Sequence, residues 1–321
     1  MLVFSEDEAE AERADVKTPG VQSVACITGD GKLKCMSERN FNASNKTIGD
    51  ASKPNAVVLG EIPLKSDEQI LVVSDRGNVF RLYGGNAACK FSDPGFTLSE
   101  LFEDAAEDER PVALLPGEPG NGNLLFITAK GMLKKTAWSE YAVGKTMYQG
   151  IRLNEGDRVL TGQPDVDEEG ETVFFVTRGG ICLNAKKDDI PLQGRVSGGV
   201  KGINLKEGDE VVFASQIDGE GEIVFATTDG RFKRVIAAQI DPLPRYRKGV
   251  QISALKTEKI LFADYVREPY VLAIVRDDGT MTELCTEDVP IDTTSTRGRP
   301  LKGVKWKPVS VFAMKYRKVE N

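Results

Sequence analysis

The sequence predicts an all-β fold, a six-bladed β-propeller (β-pinwheel) of four-stranded blades with little helix. Three observations predict it. An apolar run followed by Thr, Ser or Arg, two spacers and a Gly occurs repeatedly at near-constant spacing. The second residue after each of those glycines is apolar. A further glycine-led strand signal lies in the spacers.

The six copies are VACITGDGKLK, ILVVSDRGNVF, LLFITAKGMLK, VFFVTRGGICL, IVFATTDGRFK and LAIVRDDGTMT. They are anchored on Gly31, Gly77, Gly131, Gly180, Gly230 and Gly279, at intervals of 46, 54, 49, 50 and 49 residues. Four consecutive apolar or small residues rich in Val, Ile and Phe suit a strand buried on both faces. The Gly supplies the positive φ that a tight hairpin needs. Two residues on stand Leu33, Val79, Leu133, Cys182, Phe232 and Met281, so the returning strand keeps one face inward. In the spacers, YQGIRL, VKGINL, RKGVQI and LKGVKW share Gly-[Ile/Val]-x-apolar at Gly150, Gly202, Gly249 and Gly303. Another strand-like run follows, as in EGDRVLTG and EGDEVVFAS. Each unit of about 50 residues thus holds about four strands, the content of a propeller blade. The chain opens on a hairpin and closes on the other strand pair, so the N-terminal hairpin is expected to complete the last blade.

Composition excludes several function classes. With no histidine, a Ser-His-Asp triad, a Cys-His pair and the usual zinc sites are ruled out. The five cysteines, Cys26, Cys35, Cys89, Cys182 and Cys285, form no CxxC and read as reduced, mostly buried thiols. The start, MLVFSEDEAEAERADV, has no basic region and no apolar core of a signal peptide. No apolar stretch is long enough to span a membrane. Carboxylate pairs in DVDEEGE, DGEGE and RDDG sit at hairpin turns, and no phosphate-loop motif is present.

The TAKGMLKKTAWSEY and TTDGRFKRV hairpins, together with GRVSGGVKGINL, resemble a known family. It is that of the C-terminal domain of the A subunit of bacterial type IIA topoisomerases, DNA gyrase and topoisomerase IV. The resemblance covers about residues 20–316. It implies a six-bladed β-pinwheel with outer strands exchanged between blades, which binds duplex DNA around its rim and bends it. The cutting tyrosine of that family lies in a separate domain. The resemblance therefore implies an accessory module with no catalytic residue, metal or cofactor, acting with the ATPase B subunit and the rest of the A subunit. A cytoplasmic, nucleoid-associated location and a monomeric isolated domain are expected. Residues 1–19 are expected to be an acidic tail or linker, and 20–321 the domain. The gyrase box Q-R-R-G-G-K-G is missing from the first spacer; Gln193–Gly202 matches it only with insertions. That departure points to a topoisomerase IV-like domain or a diverged gyrase one.

The formal net charge of −7 opposes DNA binding if evenly spread. Residues 1–16 and 100–109 carry net −5 and −6, which leaves a remainder of +4. The run 100–109 reads as a solvated helix on a loop. The expected phosphate contacts are Lys134, Lys135, Lys186, Lys187, Arg195, Lys201, Lys233, Arg234, Arg245, Arg247, Lys248, Arg297, Arg299, Lys302 and Lys305. The resemblance places these repeat positions near the rim. RVSGGVKG also lets backbone N–H groups approach a phosphate. No recognition helix or aromatic platform is evident, so binding is expected to lack base specificity. The alternative is a propeller scaffold that binds protein and not DNA.

Overall fold

A computed structural model describes residues 20–45, 53–166, 171–301 and 306–316. Six antiparallel sheets form six blades. Their apolar strands are Gln22–Thr28, Gln69–Ser74, Asn123–Thr128, Thr172–Thr177, Glu222–Thr227 and Val271–Arg276. The returning strands begin at Leu33, Asn78, Met132, Ile181, Arg231 and Met281. The anchoring glycines all take positive φ, between 73° and 84°. The Thr or Ser three residues earlier explains its own recurrence. In five units its hydroxyl accepts the backbone N–H four residues on, at 3.0–3.2 Å: Lys32, Asn78, Met132, Ile181 and Arg231. The hydroxyl is buried and satisfied while it pins the turn. In the sixth unit Arg276 replaces it, and Thr280 bonds Asp278 instead.

On the other side of each apolar strand lies the run that follows the spacer: Val58–Lys65, Pro111–Pro116, Val159–Pro164, Val211–Ile217, Ile260–Val266 and Pro308–Ala313. All six pairings shift register at the same point, opposite the Thr, Ser or Arg. The fourth strand of a blade comes from the next unit. Met147–Gln149 adds to Asn78–Tyr83, Val200–Lys201 to Met132–Ala137, Val250–Gln251 to Ile181–Lys186, and Arg299–Pro300 to Arg231–Ile236. In the first blade a single bridge, Leu33 to Phe96, takes that place. The last blade shows three strands among the described residues.

Two expectations are corrected. The N-terminal hairpin does not complete the last blade; it pairs with Val58–Lys65 and builds the first. Each apolar strand is flanked by its own unit's returning and post-spacer strands, so only the short fourth strand is shared. The first and last blades meet by packing instead, where Val57 joins Ala273, Met281 and Met314, and Asn45 Nδ2 donates to Tyr316 O at 2.6 Å. The second correction is one of register. Val250 pairs with Cys182 as Val200 pairs with Leu133, so Gly249 corresponds to Gly199 and not to Gly202. The spacer motif Gly-[Ile/Val] had merged two positions three residues apart.

Each pair of neighbouring blades encloses its own apolar cluster. Phe174, Val176, Phe225 and Ile252 fill the fourth seam, for example, all fully buried. The residues two past each anchoring glycine are buried in all six units, as the alternation predicts. Three thiols, Cys26, Cys35 and Cys182, are buried; burial pushes Cys26 and Cys182 up to about 12.

In the third, fourth and fifth blades the loop that enters the fourth strand crosses the returning strand on a left-handed glycine. Cβ atoms placed on Gly199 and Gly249, at φ 79° and 74°, would lie 2.4 Å from Leu133 O and 2.2 Å from Cys182 O. Gly249→Ala therefore meets both strain and a backbone clash. An expected loss of about 2–4 kcal/mol in urea unfolding follows. Gly144→Ala, with nothing within 4 Å of the added carbon, is expected to stay within about 0.5 kcal/mol of the parent.

Candidate nucleic-acid interface

The entering loops and the short fourth strands form the outer edge of the blades; seven of the fifteen expected phosphate contacts lie on them, and six lie on or just past the returning strands. Their states differ sharply. Lys134 and Lys233 are fully buried. Lys134 Nζ donates to Gly150 O, Arg195 O and, at 2.9 Å, Tyr141 Oη, and lies 5.0 Å from the Phe126 ring centroid. Lys233 Nζ donates to Thr293 O at 2.6 Å and Thr296 O at 2.8 Å. Lys34 does the same in the first blade, with Asn55 O and Phe91 O at 2.9 and 2.6 Å. These ammoniums hold the entering loops from beneath by their carbonyls. They cannot face a phosphate in this arrangement, which corrects the expectation for Lys134 and Lys233. Lys187 is corrected on the same ground: it is buried and paired with Asp165 at 2.8 Å.

A second group is engaged by carboxylates. Lys135 joins the same Asp165 at 2.9 Å, and Arg234 pairs with Glu222 at 2.6 Å. Arg245 pairs with Asp189 at 3.0 Å, and Arg297 Nε with Glu258 at 2.7 Å. Arg195 lies over the Tyr148 ring, 5.2 Å from its centroid, and donates to Gln149 O. Lys302 and Lys305 lie outside the described residues. The remaining predicted cations, Lys186, Lys201, Arg247, Lys248 and Arg299, are exposed. Arg299 has only a 3.7 Å contact with Asp292, and the other four form no salt bridge among the described residues.

Three of these five come together. The loop 245–248 runs along the exit of the preceding fourth strand. Tyr246 N donates to Gly202 O, Asn204 N donates to Arg247 O at 3.0 Å, and Arg247 bridges Ile203. Lys201, Arg247 and Lys248 thereby share one exposed patch at the outer seam of the third and fourth blades. Tyr246, which sequence reasoning passed over, stands at its centre. Lys201 Nζ lies 5.1 Å from its ring centroid. The signal was an aromatic set between Arg245 and Arg247.

The acidic run 100–109 is no loose helix. The helix spans Leu98–Leu101 only, with Thr97 and Glu100 forming its capping box. Phe102 packs on Phe80 at 4.8 Å, Ala105 is buried, and Glu109 is buried, accepting from Ser74 Oγ and Asn78 Nδ2. Its exposed acids are Glu100, Glu103, Asp104, Glu107 and Asp108. They lie on the second unit's path from the fourth strand to Pro111, and no comparable acid run occurs there in later units.

The architecture defines a class: propellers whose blades borrow their outer strand from the following unit. Residues 122–163, 171–218 and 221–266 match the family model described as the DNA gyrase C-terminal domain, β-propeller. The matched residues fall on three consecutive blades. It is 28% identical over 269 residues to the A subunit of DNA topoisomerase 4 from Streptococcus pyogenes, which covers 79% of this chain and 32% of the relative. It is 32% identical over 197 residues to the A subunit of DNA gyrase from Klebsiella oxytoca, covering 60% of this chain and 22% of the relative. The chain therefore spans about a third or less of the curated relatives it matches. A crystal structure of the C-terminal domain of DNA topoisomerase IV superposes with TM-score 0.79 at 24% identity, covering 92% of this chain and 94% of that one. A gyrase A C-terminal domain superposes with TM-score 0.64 at 19% identity, over 91% and 99%. These likenesses agree on the fold.

The buried ammoniums make stability depend on pH. Burial pushes Lys134 down to about 7 and Lys233 to about 8, against an ordinary value of 10.5. Between those values and 10.5 the unfolded chain binds more protons, so stability rises with pH across that window. The urea midpoint is expected to be higher near pH 9 than near pH 7. Lys134→Met should flatten part of the rise. It should also cost about 1–3 kcal/mol by leaving the Arg195 carbonyl without its donor, while Gly150 O keeps the Tyr141 hydroxyl at 3.0 Å.

Proposed function

We propose that this chain is the DNA-binding accessory module of a bacterial type II topoisomerase A subunit. It holds duplex DNA by its phosphates, without base specificity, and bends it. The observation that carries the reading is the Lys201, Arg247 and Lys248 patch, set on repeats of the gyrase C-terminal propeller family. Lys186 and Arg299 extend the cationic path to the neighbouring edges. Bending a short site costs about 1–6 kcal/mol. Contacts on successive blades offset that cost only if the duplex follows the curved edge.

The chain makes no cut itself on this reading; that step belongs to other parts of the A subunit, working with an ATPase B subunit. Residues 1–19 would link it to a preceding domain, with 20–321 as the module. The setting would be the cytoplasm, on the nucleoid. The absent gyrase box favours a topoisomerase IV-like or diverged gyrase role over full wrapping.

Anisotropy titration of a short labelled duplex across a salt series tests the proposal. Affinity should fall linearly on a log–log plot, and the triple variant Lys201→Gln, Arg247→Gln, Lys248→Gln should reduce the slope by about 2–3. Lys186→Gln should reduce it by about 1. Absence of binding at low salt would favour a protein-binding scaffold.

A further inference from the structure

Tyr246 has a backbone that its side chain does not favour. Its φ is 60°, and among the described residues no other non-glycine has positive φ. Such a conformation costs about 1–3 kcal/mol and persists only where the surroundings enforce it. Here they do so from both sides. Arg245 is tied to Asp189 at 3.0 Å and donates to Lys201 O at 3.1 Å. Arg247 is tied to Ile203 and Asn204. The strain brings no core packing, because the tyrosine is 44% exposed. Its effect is to hold a rigid aromatic ring on the surface, between cations.

Beside the ring lies a depression of about 330 Å³. Lys130, Asn154, Lys201, Asn204, Lys206 and Tyr246 line it, together with Asp209. Asp209 Oδ1 is already occupied by the N–H groups of Gly179 and Glu210. The set therefore combines one π-face, amide side chains able to donate and accept, three ammonium groups and one carboxylate.

We propose that Tyr246 and this depression receive an unstacked nucleobase whose flanking phosphates are held by Lys201, Lys206 and Arg247. The inference rests on the DNA-binding reading above and adds to it. Stacking needs no sequence code, since every base has a π-face. The patch would thus mark the most deformed step of the bound duplex. An extrahelical base and a single strand offer the same chemistry.

The test uses the full chain and three labelled probes: a perfect duplex, the same duplex with one extrahelical 2-aminopurine, and the single strand. The parent should bind the extrahelical probe about 5- to 150-fold more tightly than the perfect duplex, the worth of one base–aromatic stack. Probe fluorescence should be quenched on binding. Tyr246→Phe should keep both effects. Tyr246→Asn suits the left-handed backbone, so it should stay folded, with the parent's far-UV circular dichroism. It should lose the preference and the quenching. A Tyr246-dependent preference for the single strand would support the same site. If the parent binds perfect duplex but does not prefer either other probe, or if Tyr246→Asn keeps the preference, the inference falls. If the parent does not bind perfect duplex at all, the DNA-binding reading fails first.

Discussion

The outer edge of this protein depends on one steric constraint. In the third, fourth and fifth blades the next unit sends a short strand back over a returning strand whose backbone leaves no room for a Cβ. Gly199, Gly249 and Gly298 make that crossing in the left-handed region, against Leu133, Cys182 and Phe232. Once the crossing is fixed, the loop before it is fixed too. Its residues then lie on the rim of one blade while its exit touches the next. The functional patch is a product of that geometry: Lys201 comes from one crossing, and Arg247 and Lys248 from the loop entering the following one.

The buried lysines are the second consequence. In the first, third and fifth blades the residue three past the anchoring glycine is Lys34, Lys134 or Lys233; in the second and fourth it is Phe80 or Leu183. All five are buried. The lysine blades carry entering loops whose carbonyls turn inward and need a donor. An ammonium supplies it, at a desolvation cost visible in the lowered proton affinity of Lys134 and Lys233. In the fourth blade the neighbouring Asn184 Nδ2 donates to Ile240 O at 2.9 Å instead.

Much of the fold was legible because the hairpin signal is local. Thr128, Gly131 and Leu133 each do their work within six residues of chain. The fourth strands were legible only in outline. Their register is set by a partner in another unit, so Gly249 and Gly202 looked alike. The site was the least legible part. A lysine reads as solvated until the loop that covers it is known, and whether Arg245 or Arg297 is engaged by Asp189 or Glu258 depends on contacts about 40–55 residues away. Of the five predicted cations that remain exposed, Lys201, Arg247 and Lys248 form a local patch, with no unbroken belt among the described residues. Where it is interrupted, as at Glu103, Asp104, Glu107 and Asp108, like charge opposes the passage of a phosphate backbone.

Backbone amide exchange, followed with and without a short duplex at low salt, tests the central claim most directly. The account predicts slowed exchange at residues 199–204 and 245–250, fading as salt is added, with residues 97–109 unchanged. Slowing confined to the acidic run, or spread evenly over all six hairpins, would contradict it.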